Sequence, residues 1–223
     1  AAEESNPITG YDGGQFSRTE FILPEIIASL WSARDKAKAE QNTALSQAIK
    51  IIMNSFYGIL GTEGCRFLDS RLVSSITKRG HEILIESKSY IEAKGYQVIY
   101  GDTDSVFVLL GSAASEEVSG IASRLVEQLN NWWRERLDSD YGIQSFLEME
   151  SETHFSKFLM PTVRGSNAGS KKRYAGLVVE DLEQGKFSML FKGLESVRSD
   201  WSPLAREFQK VLYERIFFDQ VYE

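Results

Sequence analysis

Apolar residues recur at intervals of three and four along the first third of the chain, which is the spacing of an amphipathic helix. One such run covers Phe21–Glu40, with Pro24 in the first turn, where proline is well tolerated. A second covers Ala44–Leu60, with Asn42 or Thr43 as its N-cap. Because the connection between the runs is short, they are predicted to form an antiparallel helical hairpin.

Helices and strands alternate in the rest of the chain. Helical spacing predicts helices over Ser70–Ala93, Glu116–Arg136 and Asp200–Tyr213. Runs rich in β-branched and aromatic residues predict strands in the two halves of Tyr96–Leu110 and over Phe146–Met149, Phe155–Met160, Arg173–Val179 and Phe187–Phe191. This order predicts an α+β fold, in which helices pack around a largely antiparallel sheet and the helical hairpin projects from it.

The composition is that of an ordinary globular protein and excludes several classes. The chain has 223 residues, of which 42% are hydrophobic and 26% charged, so disordered and collagen-like classes are excluded. One cysteine and two histidines exclude an internal disulfide and a Cys/His zinc site. No apolar run approaches the roughly 20 residues of a membrane helix, and no signal-peptide core is present. We therefore expect a soluble cytoplasmic protein without a membrane partner.

The charge balance and the two ends of the chain add two expectations. The net charge of −7 argues against a simple basic nucleic-acid module, although a few local cations can still bind phosphate in an acidic protein. The chain begins with Ala1 rather than Met and stops at Glu223, soon after an amphipathic run without a helix-stop signal. We therefore expect it to be a piece of a longer protein.

Asp102 and Asp104 flank the turn of the predicted hairpin, within the sequence Tyr-Gly-Asp-Thr-Asp-Ser that ends at Ser105. Two carboxylates so close repel each other unless a cation lies between them, and hard oxygen ligands favour Mg²⁺ or Mn²⁺. The alternative is a plain turn, since Asp and Gly are common turn residues. An EF-hand is a poor alternative, because Val106 stands where that loop needs an oxygen ligand.

Three cations and an amide form pairs spaced four residues apart on the two helices of the predicted hairpin. Arg34 and Lys38 share a face of the first helix, and Lys50 and Asn54 share a face of the second, with Tyr57 one turn further. Such a set could bind a polyphosphate. The alternative is ordinary solvated surface charge, although the polar and aromatic residues from Asn54 to Gly58 are poorly placed for solubility alone.

A third motif is a basic Gly/Ser-rich loop. Four cations lie between Arg164 and Tyr174, namely Arg164, Lys171, Lys172 and Arg173, just before a predicted strand. Such a loop can lie along phosphates. It lacks the spacing of a P-loop, and an equally weighted alternative is a flexible basic loop. Glu148 and Glu150, which share one face of a strand, are interpreted as the exposed side of an edge rather than as a metal site.

Taken together and in this order, three motifs resemble family B DNA polymerases. They are Lys50-x-x-x-Asn54-Ser-x-Tyr57-Gly58, the aspartate turn ending at Ser105, and Lys171-Lys-Arg-Tyr-Ala-Gly176. The match runs from about Arg18 to the end, and further runs, such as the one from Lys192 to Trp201, are most similar to the bacterial polymerase II branch. The resemblance implies a truncated, poorly ordered leader over 1–18, a fingers hairpin over 19–62 and a palm over 63–223.

The resemblance also implies a role for each motif. The fingers residues that grip the triphosphate of the incoming dNTP are matched by Arg34, Lys38, Lys50 and Asn54, and Lys50 also counts as catalytic. Tyr57 and Gly58 match the residues that pack on the nascent base pair. Asp104 matches the palm carboxylate that binds catalytic metal, two Mg²⁺ ions or Mn²⁺ in a complete enzyme, and Asp102 ranks second. Primer–template DNA contacts are matched by Lys171, Lys172, Arg173, Tyr174, Lys192 and Arg198.

One part of the family pattern has no match here. The other palm carboxylate lies upstream of the fingers in an Asp-x-x-Ser-Leu-Tyr-Pro-Ser-like motif, and Asp12, Asp35 and Asp69 all have the wrong context. We therefore expect the isolated chain to bind metal weakly and to have little or no polymerase activity. A sliding clamp, contacted elsewhere in the parent, and an association with the bacterial nucleoid are further expectations. The competing hypotheses are an inactive nucleic-acid-binding scaffold and an unrelated Mg²⁺-dependent phosphohydrolase.

Overall fold

The computed structural model describes residues 6–111, 113, 115–162, 165, 169–170, 172–181 and 184–218. The chain divides into two compact units, Ala1–Glu86 and Ser87–Glu223. Within the described residues no helix is both long enough and apolar enough to cross a membrane.

The first unit is built on a helical hairpin. Helix α1 covers Ile22–Ala39 and helix α2 covers Thr43–Leu60. The backbone N–H of Leu45 donates to the side chain of Asn42 at 3.1 Å, so Asn42 is the N-cap of α2. Ala37 and Ile49 are the buried residues of the two helices. The antiparallel hairpin predicted from the spacing of apolar residues is therefore present.

A small β-hairpin precedes the helices of the first unit. Strands β1 (Ile8–Thr9) and β2 (Gln15–Phe16) pair antiparallel. The turn between them contacts the third helix, α3, which covers Ser70–Ala93. The Tyr11 hydroxyl donates to Glu82 at 2.6 Å, and Lys78 Nζ lies 2.6 Å from Asp12 Oδ1. The leader was expected to be poorly ordered over residues 1–18, whereas residues 8–16 are held by these side-chain contacts.

The described part of the second unit contains two antiparallel sheets and two complete helices. Strands β3 (Gln97–Asp102) and β4 (Ser105–Leu109) form one sheet. Strands β5 (Phe155–Leu159), β6 (Tyr174–Asp181) and β7 (Lys186–Lys192) form the other, in that order. The helices are α4 (Ser115–Tyr141) and α5 (Pro203–Phe218). The α+β class predicted from the sequence is confirmed.

The strand predicted at Phe146–Met149 does not form among the described residues. Side chains alternate there as in a strand, and the Phe146 side chain is 88% exposed. However, the Asn130 side chain binds both backbone polar groups of Met149. It accepts from the N–H at 2.8 Å and donates to the carbonyl at 3.0 Å. The segment is therefore extended and tied to α4 by a side chain rather than by a strand partner.

Among the described residues of the second unit, two clusters of side chains pack around β6. The buried core between β6 and α5 contains Ala175, Leu177, Leu194, Tyr213 and Phe217. A second cluster joins the two sheets through rings whose centroids lie 5.2 to 6.4 Å apart, those of Tyr100, Phe107, Phe155, Phe158 and Tyr174. This ring cluster places the tip of the β3–β4 hairpin beside the start of β6.

Candidate active site

The two aspartates lie at the tip of the β3–β4 hairpin. Asp102 ends β3 and is paired with Ser105, which leaves a two-residue turn of Thr103 and Asp104. Thr103 has φ of +50°, the left-handed conformation that tight hairpin turns require. Its hydroxyl donates to Asp102 Oδ1 at 3.0 Å. The turn therefore holds two carboxylates two residues apart on a well-defined backbone, as the sequence predicts.

The surroundings of the two carboxylates differ. The Asp102 side chain is only 12% exposed, and its Oδ1 lies 3.5 Å from Nζ of Lys172. Asp104 is exposed. Because Asp102 already has a cation beside it and Asp104 faces solvent, Asp104 is the more accessible carboxylate for a ligand.

Tyr100 connects the aspartate turn to Lys172, which lies at the end of the basic loop just before β6. Its hydroxyl accepts a hydrogen bond from the backbone N–H of Lys172 at 2.8 Å. Its ring centroid lies 6.4 Å from that of Tyr174. Tyr100 was not among the candidates from sequence, although it opens the aspartate motif, because its partner is 72 residues away along the chain.

The start of β6 presents cations beside the turn. Lys172 has φ of +62° and a side chain that is 67% exposed. Lys192 is opposite Tyr174 in the β6–β7 register, and its Nζ lies 5.8 Å from the centroid of that ring. Tyr174 itself is buried. Lys171 lies outside the described residues.

The two arginines of the predicted DNA contact are each paired with a carboxylate. Arg173 forms an ion pair with Glu195. The Arg198 guanidinium donates to both oxygens of Asp200, at 2.9 and 2.6 Å, which raises the pKa of Arg198 and lowers that of Asp200. Both arginines therefore already have an anionic partner within the protein.

The predicted triphosphate-binding residues lie on α1 and α2. Arg34 is half-buried, and its Nε is buried without a hydrogen-bond partner among the described residues. Lys38 Nζ lies 3.7 Å from Asp35 Oδ1 on the same helix, while Lys50 and Asn54 are exposed. All of these residues belong to the first unit, whereas the aspartate turn belongs to the second.

Tyr57 and Gly58 lie near the end of α2. The Tyr57 hydroxyl and the Thr77 hydroxyl are 2.5 Å apart, which ties the ring to α3. A Cβ added to Gly58 would meet nothing within 4 Å, so the space beside this glycine is open. The pair therefore combines a fixed aromatic side chain with an unobstructed stretch of helix surface.

Comparison with known proteins identifies the family. The model of DNA polymerase family B matches residues 15–223. This chain belongs to the family B DNA polymerases. It is 55% identical to DNA polymerase II of Escherichia coli (strain K12) over 215 residues, which cover 96% of this chain and 27% of that protein. This similarity confirms the expected likeness to the bacterial polymerase II branch.

More distant members of the family are also similar to the chain. The DNA polymerase alpha catalytic subunit of Mus musculus is 31% identical over 78% of this chain and 11% of its own length. DNA polymerase 1 of Pyrococcus abyssi (strain GE5 / Orsay) is 28% identical over 87% of this chain and 24% of its own length. This family B chain thus spans about a quarter or less of these relatives.

The donor set at the hairpin tip suits the divalent cation that the polymerase family implies. Mg²⁺ prefers oxygen ligands and is commonly held by one or two carboxylates together with substrate phosphates. Asp104 offers an exposed carboxylate, and Asp102 has a second oxygen besides the one that faces Lys172. Among the described residues no group of three or more metal-binding side chains is found. The residues present therefore fit a cation shared with substrate rather than one enclosed by protein.

Proposed function

We propose that this chain is the fingers and palm part of a template-directed DNA polymerase, with the fingers over 19–62 and the palm over 63–223. The substrates are a dNTP and primer–template DNA, and a sliding clamp is a further partner of the complete polymerase. The site of action is the bacterial cytoplasm, at nucleoid DNA. Membership of family B supports the reaction class. The observation that carries the roles is the contact of Lys172 with both Tyr100 and Asp102.

That contact places opposite charges side by side. A polymerase must hold the primer end, which is anionic, next to the cations that act on it. Lys172 supplies an exposed positive charge and Asp104 an exposed carboxylate at the same end of the β3–β4 hairpin. Lys171, Lys172, Arg173 and Tyr174, with Lys192 and Arg198, form the DNA contact of this proposal. Asp104, assisted by Asp102, holds the metal.

The fingers residues act on the other substrate. Arg34, Lys38 and Lys50 neutralise the triphosphate, and Asn54 donates a hydrogen bond to it. The buried Nε of Arg34, which lacks a partner among the described residues, suits an anionic ligand. Bound divalent metal supplies activation of the primer hydroxyl and stabilisation of the pyrophosphate leaving group. With only the Asp102–Asp104 pair of the family's palm carboxylates, the chain alone is proposed to have little or no activity.

The DNA contact can be tested by the salt dependence of binding to a primer–template. Each phosphate neutralised on duplex DNA contributes about 0.9 to the slope of log K against log salt concentration. Lys172→Gln and Lys192→Gln, each made in the complete polymerase, are therefore expected to reduce the slope by about 0.9. Fluorescence anisotropy over a range of salt concentrations measures it. Unchanged slopes in both variants would contradict the proposed DNA contact.

Gly58 offers a test in which stability and activity change in opposite directions. A Cβ at Gly58 has open space and replaces a poor helix former, so Gly58→Ala is expected to stabilise the protein by about 0.5–1 kcal/mol. The same methyl group would displace the nascent base pair and lower nucleotide incorporation by at least about tenfold.

Gly80 is the matched control for this test. It also lies in a helix, and a Cβ there also meets nothing within 4 Å. Gly80→Ala is expected to give a similar gain in thermal stability with incorporation unchanged. Equal incorporation by Gly58→Ala and Gly80→Ala would remove Gly58 from the nucleotide site.

A further inference from the structure

Arg173 is part of a series of hydrogen bonds that leads to helix α5. Its guanidinium donates to Glu195 Oε1. The other carboxylate oxygen of Glu195 accepts from the side-chain amide of Gln209 at 2.6 Å. The amide oxygen of Gln209 accepts in turn from the backbone N–H of Ser196 at 2.6 Å. Both oxygens of Glu195 and both ends of the Gln209 amide are therefore engaged.

Glu195, which accepts the hydrogen bond from Arg173, is held firmly by its surroundings. Glu195 opens a short 3-10 helix, Glu195–Val197, between Leu194 and Ser196, which are 1% and 5% exposed. Gln209 lies one turn before Tyr213, whose ring packs on Phe191 of β7. Hydrogen bonding from Gln209, with a smaller contribution from Arg173, lowers the pKa of Glu195, so both contacts favour the charged carboxylate.

The backbone on either side of Arg173 is also held in place. Gly193 has φ of +63°, and a Cβ there would lie 2.1 Å from the carbonyl oxygen of Lys172. Only glycine allows this close approach of the β7 end to the start of β6. The N–H of Lys172 is bound by Tyr100, as described above. The segment that carries Lys172 and Tyr174 is thus fixed from three sides, and Arg173 makes the charged contact.

We propose that Arg173 is a positioning residue rather than a phosphate contact, and that Glu195 and Gln209 hold it so that the neighbouring Lys172 meets the primer strand in one orientation. This inference rests on the proposed polymerase function and deepens it, because it divides the basic segment into cations that neutralise DNA and one that does not. Gln209 acquires a role in the DNA contact although it lies on α5.

Electrostatics favours this division. A phosphate that recruited Arg173 would have to separate it from Glu195, leaving an unpaired carboxylate 19% exposed and close to anionic DNA. The Lys172 side chain is 67% exposed, and its Nζ lies 3.5 Å from Asp102 Oδ1. Arg173 is 40% exposed, and its guanidinium donates to Glu195. Moving Lys172 to a phosphate breaks only this 3.5 Å charge contact with Asp102, whose hydrogen bond from Thr103 remains, whereas moving Arg173 breaks a hydrogen-bonded ion pair.

The test compares Glu195→Gln with Arg173→Gln in the complete polymerase. If Arg173 positions its neighbours, both variants are expected to lower primer-extension efficiency by about tenfold, and the double variant is expected to lose no more than either one, since both break the same contact. The slope of log K against log salt concentration should stay that of the wild type in both. Gln209→Leu should lower extension in the same direction, again without a change in slope.

A direct contact of Arg173 with phosphate predicts a different result. If Arg173 binds phosphate, Arg173→Gln reduces the slope by about 0.9, and Glu195→Gln tightens DNA binding by releasing the guanidinium. Either outcome overturns the proposal. Glu180→Gln is the matched control, because Glu180 of β6 forms an ion pair with Lys186 of β7 at 2.9 Å, at the end of these strands away from Arg173. It should leave extension unchanged, and thermal unfolding of all variants separates lost positioning from lost folding.

The same measurements distinguish a failure of the proposed DNA contact from a failure of the positioning role of Arg173. Should Lys172→Gln and Lys192→Gln leave the salt slope unchanged, the proposed DNA contact itself is wrong. Should they reduce it while Arg173→Gln also reduces it, the DNA contact stands and the positioning role of Arg173 is wrong.

Discussion

Replacing Asp104 by Asn is expected to lower primer extension by the complete polymerase about a thousandfold while primer–template binding is retained. A metal-binding carboxylate supports a charge stabilisation worth several kcal/mol in the transition state, and each 1.36 kcal/mol corresponds to a factor of ten in rate. Asn keeps the size of the side chain and its ability to form the turn, so the β3–β4 hairpin should persist. Removing a negative charge from the turn that contacts Lys172 should strengthen DNA binding.

The measurement is single-nucleotide incorporation on a labelled primer–template, with Mg²⁺ and then with Mn²⁺. Asp181→Asn is the matched control, since Asp181 is also an aspartate at a β-hairpin turn, where it accepts from the N–H of Gln184 at 3.0 Å. That variant should incorporate nucleotide at the wild-type rate. Equal rates for Asp104→Asn and the wild type would refute the metal role of the turn, and tight DNA binding without extension by the wild type would favour the scaffold hypothesis.

Long helices and the hairpin with the aspartates could be predicted from the sequence, because their signals are local. Helix α3 has the bounds expected from its spacing, Ser70–Ala93. The β1–β2 hairpin could not be predicted, because its strands have two residues each and its stability comes from contacts of Tyr11 and Asp12 with α3, more than 60 residues away. The missing strand near Met149 shows a related limit. The alternation of apolar and polar residues indicates which side chains face inward, but it does not indicate which groups bind the backbone.

The candidate site shows the same division between local and distant signals. The motif with Asp102 and Asp104 is contiguous, so its chemistry could be predicted. The contact of Asp102 with Lys172 joins positions 70 residues apart, and it depends on ring packing around Phe107. Gln209 had no sequence signal at all, because a glutamine on an amphipathic helix is ordinary until its partners are known. Sequence therefore identified the charged groups, and the structure shows which of them are already paired.

Lys50→Ala is the other change with a large expected effect, and it concerns the nucleotide rather than the primer. Lys50 is exposed on α2, and no ion pair to it is found among the described residues. A hydrogen bond to a charged group contributes about 1.5–3 kcal/mol, so losing the contact with the triphosphate should lower kcat/KM for the dNTP by about 10- to 100-fold. Lys50→Arg should recover part of this loss, because the positive charge remains while the geometry changes.

Lys36→Ala separates this specific contact from general electrostatics. Lys36 is an exposed lysine of α1 whose Nζ lies 4.0 Å from Glu40, and it has no role in the proposed site. Steady-state incorporation over a range of dNTP concentrations should show the loss in Lys50→Ala alone, with the affinity for primer–template equal in both variants. A loss of the same size in Lys36→Ala would mean that α1 and α2 act only through their total charge. Because that charge would act at long range, the loss would then disappear in high salt, whereas a direct contact of Lys50 with phosphate would still distinguish the two lysines.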